Sequence, residues 1–186
     1  MRTREAIITA TIELLGEHPA GELSVTAIVN RAGVSRQVFY EHFTDRNALL
    51  LAAGRHLIEP AYAAFVDGFD PDTTYPQQVA ALFSKLSEHE AAVRSLMDSA
   101  AQGKINRYAV ELMHASVRVE LAQRLAAANV DVDEAMIDDT ARFLAAGTQE
   151  VFARGFADGT PPEEVGRRIE GVRRTLGAYS MGEPLA

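Results

Sequence analysis

The sequence of 186 residues predicts an all-α protein, and three observations carry that expectation. Apolar residues make up 47% of the chain, with many Ala and Leu and few β-branched runs. They recur every three or four positions over most of the length, and the runs are closed by Gly, Pro, Asp and Asn. At this length the chain can hold one or two small domains and bury a sizeable core.

Residues 4–16 form a first helix, with Ile7, Ile8, Thr11, Leu14 and Leu15 on one stripe and Gly16 and Pro19 closing it. Ser24 suits the N-cap of a second, because its hydroxyl can accept from a free amide of the first turn. Val25, Ile28, Val29 and Ala32 follow at helical spacing, and Gly33 tolerates the left-handed backbone that ends a helix. Val34 can fill the corner from the core side before Ser35 caps a third helix. There Phe39 and Phe43 share one face, four residues apart, while Gln37 and Glu41 point the opposite way.

Asp45 is the N-cap of a fourth helix running from Arg46 through Leu49, Ala52, Ala53 and Leu57, with Pro60 as a kink or stop and a loop over 67–76. Helices over 77–86, 90–101, 105–128 and 134–156 follow, separated by Gly103 and the turn at 129–133. Thr160-Pro161-Pro162-Glu163 then supplies a capping threonine, a proline at the first helical position and a glutamate three residues past the cap. In that last helix Val165, Ile169, Val172, Leu176 and Tyr179 are spaced four, three, four, three, the pattern of a helix packing lengthwise on another.

Two short helices across a tight turn make a helix-turn-helix. With Phe39 and Phe43 buried behind it, the front carrying Arg36, Gln37, Tyr40 and His42 suits a DNA major groove, where guanidinium, amide and apolar groups read base edges. The net charge of −8 looks adverse to DNA, but its distribution is not. Through Arg55 the arginines and the acids balance, so the whole acidic excess lies beyond the motif. A neutral reading end predicts only a modest salt-driven contribution to affinity.

From Ser24 to Leu50 the pattern S-V-x-x-I-x-x-x-A-G-V-S-x-x-x-x-Y-x-H-F-x-x-R-x-x-L-L resembles the DNA-binding domain of TetR-family transcriptional regulators, above all in Phe39-Tyr40-Glu41-His42-Phe43 followed by Arg46 and Leu49-Leu50. The resemblance implies a helix-turn-helix DNA-binding domain over residues 1–45 and a larger helical ligand-binding and dimerisation domain over 46–186. It also implies a homodimer on a palindromic operator in double-stranded DNA, a small-molecule effector that releases it and a repressor rather than an activator; a cytoplasmic location is expected, with which the lack of cysteine is compatible.

By position in the motif, Thr26, Ser35, Arg36, Gln37, Val38, Tyr40, His42 and Arg46 are the DNA-binding candidates. Arg36 suits guanine or a phosphate, Gln37 adenine and Val38 a thymine methyl, and Thr26, Tyr40, His42 and Arg46 stand where family members touch phosphates. Gln37 and Glu41 depart from the family pattern, so the operator sequence does not carry over from relatives. The effector pocket is expected among Phe65, Phe83, Met97, Tyr108, Met113, His114 and Phe143. The dimer interface is expected to be Phe143, Gly147, Val151, Val165, Ile169, Val172, Leu176 and Tyr179.

Two rival readings exist. Glu111-Leu112-Met113-His114 matches half of the paired E-x-x-H pattern of di-iron bundles, but no second copy occurs and the motifs of phosphate-binding loops, nucleophile elbows and zinc helices are missing. No catalytic residue, metal or cofactor is therefore expected. The other rival replaces the small molecule by a protein partner on the acidic body. The chain contains no cysteine, which excludes disulfides and thiolate chemistry, and no stretch is apolar for long enough to span a bilayer.

Overall fold

The computed structural model describes residues 2–67 and 73–180, with side chains at 2–65 and 73–177; the described residues are helical, with no strand. The helices are α1 Arg2–Glu17, α2 Val25–Ala32, α3 Arg36–His42, α4 Arg46–Asp67, α5 Tyr75–Ser87, α6 Glu90–Met97, α7 Gln102–Ala127, α8 Glu134–Ala157 and α9 Pro162–Ser180, with one turn of 3-10 helix at Ala20–Glu22. None among the described residues is long and apolar enough to cross a membrane.

The starts follow the capping chemistry read from the sequence. Ser24 accepts from the Ala27 amide at 3.1 Å, Ser35 from Val38 at 3.2 Å, Asp45 from Ala48 at 2.8 Å and Asp133 from Met136 at 2.7 Å. Three helices end in the same way. At α2, α7 and α8 a residue with positive φ (Gly33 at 67°, Asn129 at 52°, Gly159 at 66°) turns the chain so that the next amide reaches back to a carbonyl of the last turn.

That ending corrects one expectation. Thr160 does not cap α9: its amide donates to the Gly155 carbonyl at 2.9 Å and so finishes α8. The helix starts one residue later, with Val165 N–H bonded to the Pro161 carbonyl at 3.1 Å and Pro162 at the first helical position. Pro60 likewise stops nothing and lies inside α4. It and His56, whose carbonyl loses a helical donor, are both exposed, so water can take the donor's place. Helix α6 ends at Met97, short of residue 101, where the Ser99 hydroxyl takes the Leu96 carbonyl at 2.7 Å. Residues 68–72 of the expected loop lie outside the described residues.

The chain packs as two units, residues 1–61 with 85–109 and residues 62–84 with 110–186, so α4, α5 and α7 each contribute to both. The first unit is built on Ile7, Ile8 and Leu15 of α1, Ile28 of α2, Phe39 of α3 and Leu49 and Leu50 of α4, all fully buried. Each such side chain contributes about 1.5–3 kcal/mol by leaving water. Helix α6 packs along α1, and its Ser95 hydroxyl accepts from the Ala20 amide at 2.7 Å and donates to the His18 carbonyl at 3.3 Å. Two backbone groups of the loop after α1 are thereby satisfied.

The second unit has an aromatic core. Phe65 meets Tyr75 and Phe152 edge-on at 5.7 and 5.6 Å between centroids, and Phe83 meets Phe156 at 5.6 Å. The buried Tyr62 hydroxyl donates to Gln149 Oε1. Helix α9 approaches two neighbours closely through glycine: a Cβ on Gly155 of α8 would stand 2.5 Å from Val165 Cγ2, and one on Gly166 would stand 2.6 Å from Pro76 Cα of α5.

Candidate nucleic-acid interface

Helices α2 and α3 meet across Gly33, Val34 and Ser35. The left-handed Gly33 lets the Val34 amide bond Val29 at 3.0 Å while half-buried Val34 turns inward. Ser35 then fixes the start of α3, and Phe39 and Phe43, 0% and 5% exposed, clamp its rear to the core. With both phenylalanines anchored, the rotation of α3 about its axis is fixed, and so is the set of side chains it offers outward.

That outward set is Arg36, Gln37, Tyr40, Glu41 and His42, all exposed, with Val38 half-buried beside them. Tyr40 is 52% exposed and braced edge-on by Phe39 at 5.1 Å, which stiffens an otherwise free ring. Gln37 Nε2 donates to Glu41 Oε1 at 3.4 Å, a bond that holds the amide beside the carboxylate. Arg36 makes no hydrogen bond or ion pair among the described residues. Thr26 is exposed in the first turn of α2, and the Ser35 hydroxyl is held by its capping bond.

Three other arginines of this region are already engaged. Arg46 Nη1 donates to the Gly21 and Leu23 carbonyls at 3.0 and 2.9 Å, tying the start of α4 to the segment that enters α2. Sequence reasoning had no signal for this, because backbone carbonyls carry no residue-type signature. Arg31 forks onto Glu17 at 2.9 and 2.7 Å, joining α2 to α1, and its hydrogen bonds hold the Glu17 carboxyl below the usual carboxylate range. Arg4 lies over the Phe43 ring at 5.3 Å. On the outward face of α3, Arg36 is thus the arginine left uncommitted among the described residues.

The seven residues expected to line an effector pocket do not gather in one place. Phe65 and Met113 share a small cavity of about 10 Å3 with Tyr75, Ser116, Val117, Glu120 and Arg173, none of which the sequence had singled out. Phe83 is aromatic core. His114 Nε2 stands 3.0 Å from Asp138 Oδ1 across α7 and α8. Met97 and Tyr108 belong to the other packing unit, where Tyr108 donates to Glu59 at 2.5 Å under the Arg55 guanidinium. Phe143 is 67% exposed, so it lines no internal cavity of a single chain. No group of three or more His, Asp or Glu that could share a metal ion occurs among the described residues.

The expected dimer surface divides. Phe143 and Gly147 of α8 and Val172 of α9 are exposed, with Val151 and Leu176 half-buried. Val165 and Ile169 correct the expectation, being 1% and 2% exposed inside the lone chain. The four-three spacing is real, but its first two residues are already buried within one chain, Val165 seated against Gly155 of α8. The side chain of Tyr179 lies outside the described residues.

Residues 7–53 match the family model described as bacterial regulatory proteins, tetR family. The chain is 32% identical over 98 residues to the HTH-type transcriptional regulator EthR of Mycolicibacterium smegmatis, a match covering 50% of this chain and 45% of that one. It is 36% identical over 61 residues to the HTH-type transcriptional regulator BetI of Ectopseudomonas mendocina, covering 33% and 31%. The chain thus spans less than half the length of either relative. In fold it resembles the crystal structure of a tetR-family transcriptional regulator from Streptomyces coelicolor, with a TM-score of 0.65 over 97% of this chain and 85% of that one at 17% identity.

Proposed function

We propose that the chain is a member of the TetR family of bacterial regulatory proteins and a sequence-specific DNA-binding regulator of transcription, a homodimeric repressor released from a palindromic operator by a small molecule. The observation that carries this reading is α3: a helix locked by two buried phenylalanines whose opposite face is polar, exposed and, at Arg36, unpaired. Laid in a major groove, Arg36 reaches guanine or a phosphate, Gln37 reads adenine, and the free edge of Val38 packs on a thymine methyl. Thr26, Tyr40 and His42 seat the helix on backbone phosphates, and the Ser35 cap aims it. Arg46 holds the entry to α2 in place and offers its remaining guanidinium N–H groups to a phosphate.

A single short helix gives too small a contact for selective binding, and a two-fold copy doubles it at a fixed spacing. Exposed Phe143, Gly147 and Val172, with Val151 and Leu176 at their margin, supply an apolar strip for that copy. An effector then acts by binding more tightly to the form whose heads cannot meet successive grooves, since equal affinity for both forms would shift nothing.

The test is selection of binding sites from random duplex DNA by the purified protein. The reading expects enrichment of an inverted repeat with half-sites one helical turn apart or a multiple of that, and retardation of that duplex in a gel. Enrichment of no sequence, or of unrelated single half-sites, would contradict it.

A further inference from the structure

The cavity at Tyr75 holds an unsatisfied polar group. The Tyr75 hydroxyl is buried and has no hydrogen-bond partner among the described residues, although native structures rarely leave such a group unsatisfied. Burial pushes that hydroxyl up to about 12, with Arg173 opposing and Glu120 and Glu170 adding to the rise, so it remains a donor at neutral pH. Over its ring, at 4.7 Å, lies the guanidinium of half-buried Arg173, which has no carboxylate within ion-pair distance among the described residues. The acid that lines the same cavity, Glu120, is taken by Arg124 at 2.6 Å. The remaining wall is apolar: Phe65, Met113 and Val117 are all buried.

A donor hydroxyl and an uncommitted guanidinium beside an apolar wall ask for an acceptor that is negatively charged and attached to a hydrocarbon. We propose that this site binds a small carboxylate with an apolar body, its carboxylate received by Arg173 and the Tyr75 hydroxyl and its body lying against Phe65, Met113 and Val117. The site spans α4, α5, α7 and α9 within one packing unit. At about 10 Å3 the cavity admits a single water, so occupancy requires both that the Arg173 side chain swing off the Tyr75 ring and that the apolar wall part around the ligand body. Its role as the effector site rests on the regulatory reading above; the binding itself does not.

The test is calorimetric and thermal-shift titration of the full chain with hexanoate, 1-hexanol and hexylamine, alongside retardation of the selected duplex by the same preparations. Hexanoate alone is expected to bind saturably and raise the melting temperature. Arg173→Gln is expected to weaken hexanoate about tenfold or more, through loss of a charged hydrogen-bond partner, and Tyr75→Phe by a smaller factor, with both variants keeping wild-type circular dichroism. Equal or stronger binding of hexylamine or hexanol, no hexanoate binding, or hexanoate affinity unchanged in both variants would overturn the inference. Should Arg173→Gln not fold, Tyr75→Phe decides alone. DNA retarded without hexanoate binding refutes this site and leaves the regulator standing; hexanoate bound without any DNA retarded does the reverse.

Discussion

In the first packing unit the polar groups are closed locally. Ser24, Ser35 and Asp45 cap three successive helices, Ser95 serves the loop after α1, and Arg31 and Arg46 are tied to Glu17 and to two carbonyls. In the second, the Tyr75 hydroxyl has no partner, and Phe143, Met136 and Val172 stand 67%, 55% and 49% exposed. The contrast separates two kinds of surface. The first unit presents a polar face on α3, whereas the second exposes apolar area and keeps an unmet donor, the features that a second copy and a ligand would resolve.

The largest expected effect lies in the first unit. Phe39→Ala empties the centre of a core with nowhere to collapse and should cost about 3–5 kcal/mol, read as a lower denaturation midpoint. Next, Gly166→Ala tests whether the second unit is as tightly fitted where it is closed. Alanine favours a helix by about 1 kcal/mol, but here its Cβ would stand 2.6 Å from the Pro76 backbone, so a net destabilisation of about 1–2 kcal/mol is expected in the same measurement. A stabilised variant would show that α5 and α9 are looser than this packing.

Phe143→Ser probes the exposed side of the contrast. A side chain 67% exposed adds little to the fold of one chain, so the melting of a monomer should hardly change, while the dissociation constant of the proposed dimer should rise about tenfold in sedimentation equilibrium. An unchanged constant would remove α8 from the interface. The smallest effect belongs to the first unit again. Because the Arg31 hydrogen bonds depress the folded Glu17 pKa, their contribution is present above the ordinary carboxylate range and is lost as pH falls through the depressed value. Glu17→Gln should flatten that part of the acid limb of stability against pH and leave the neutral region parallel to wild type.

The same contrast explains what the sequence disclosed. Ser24, Gly33, Ser35, Phe39 and Asp45 were legible because caps, turns and four-residue spacing act over one or two helical turns, and the whole motif is assembled from such signals. The partners of Val165 and Ile169 were not, because an a/d spacing states that a stripe is covered and not whether the cover is the same chain or another copy. Thr160 was assigned to the wrong helix for a related reason: its amide completes the end of α8, a bond to a residue five positions back that hides behind a good capping signature. Tyr75 and Arg173 lie almost a hundred residues apart, and neither belongs to any local pattern. Only the packing of α5 against α9 makes them a pair.

The claim on which the account depends is that the outward face of α3 reads DNA. It is tested most directly by gel retardation of the selected inverted repeat with wild-type protein, Arg36→Ala and Tyr40→Ala, each checked for unchanged helicity and oligomeric mass. The account predicts that the wild type retards the duplex while both variants, folded and assembled as before, lose retardation at every concentration where the wild type is saturated. Retention of wild-type affinity by both would contradict it.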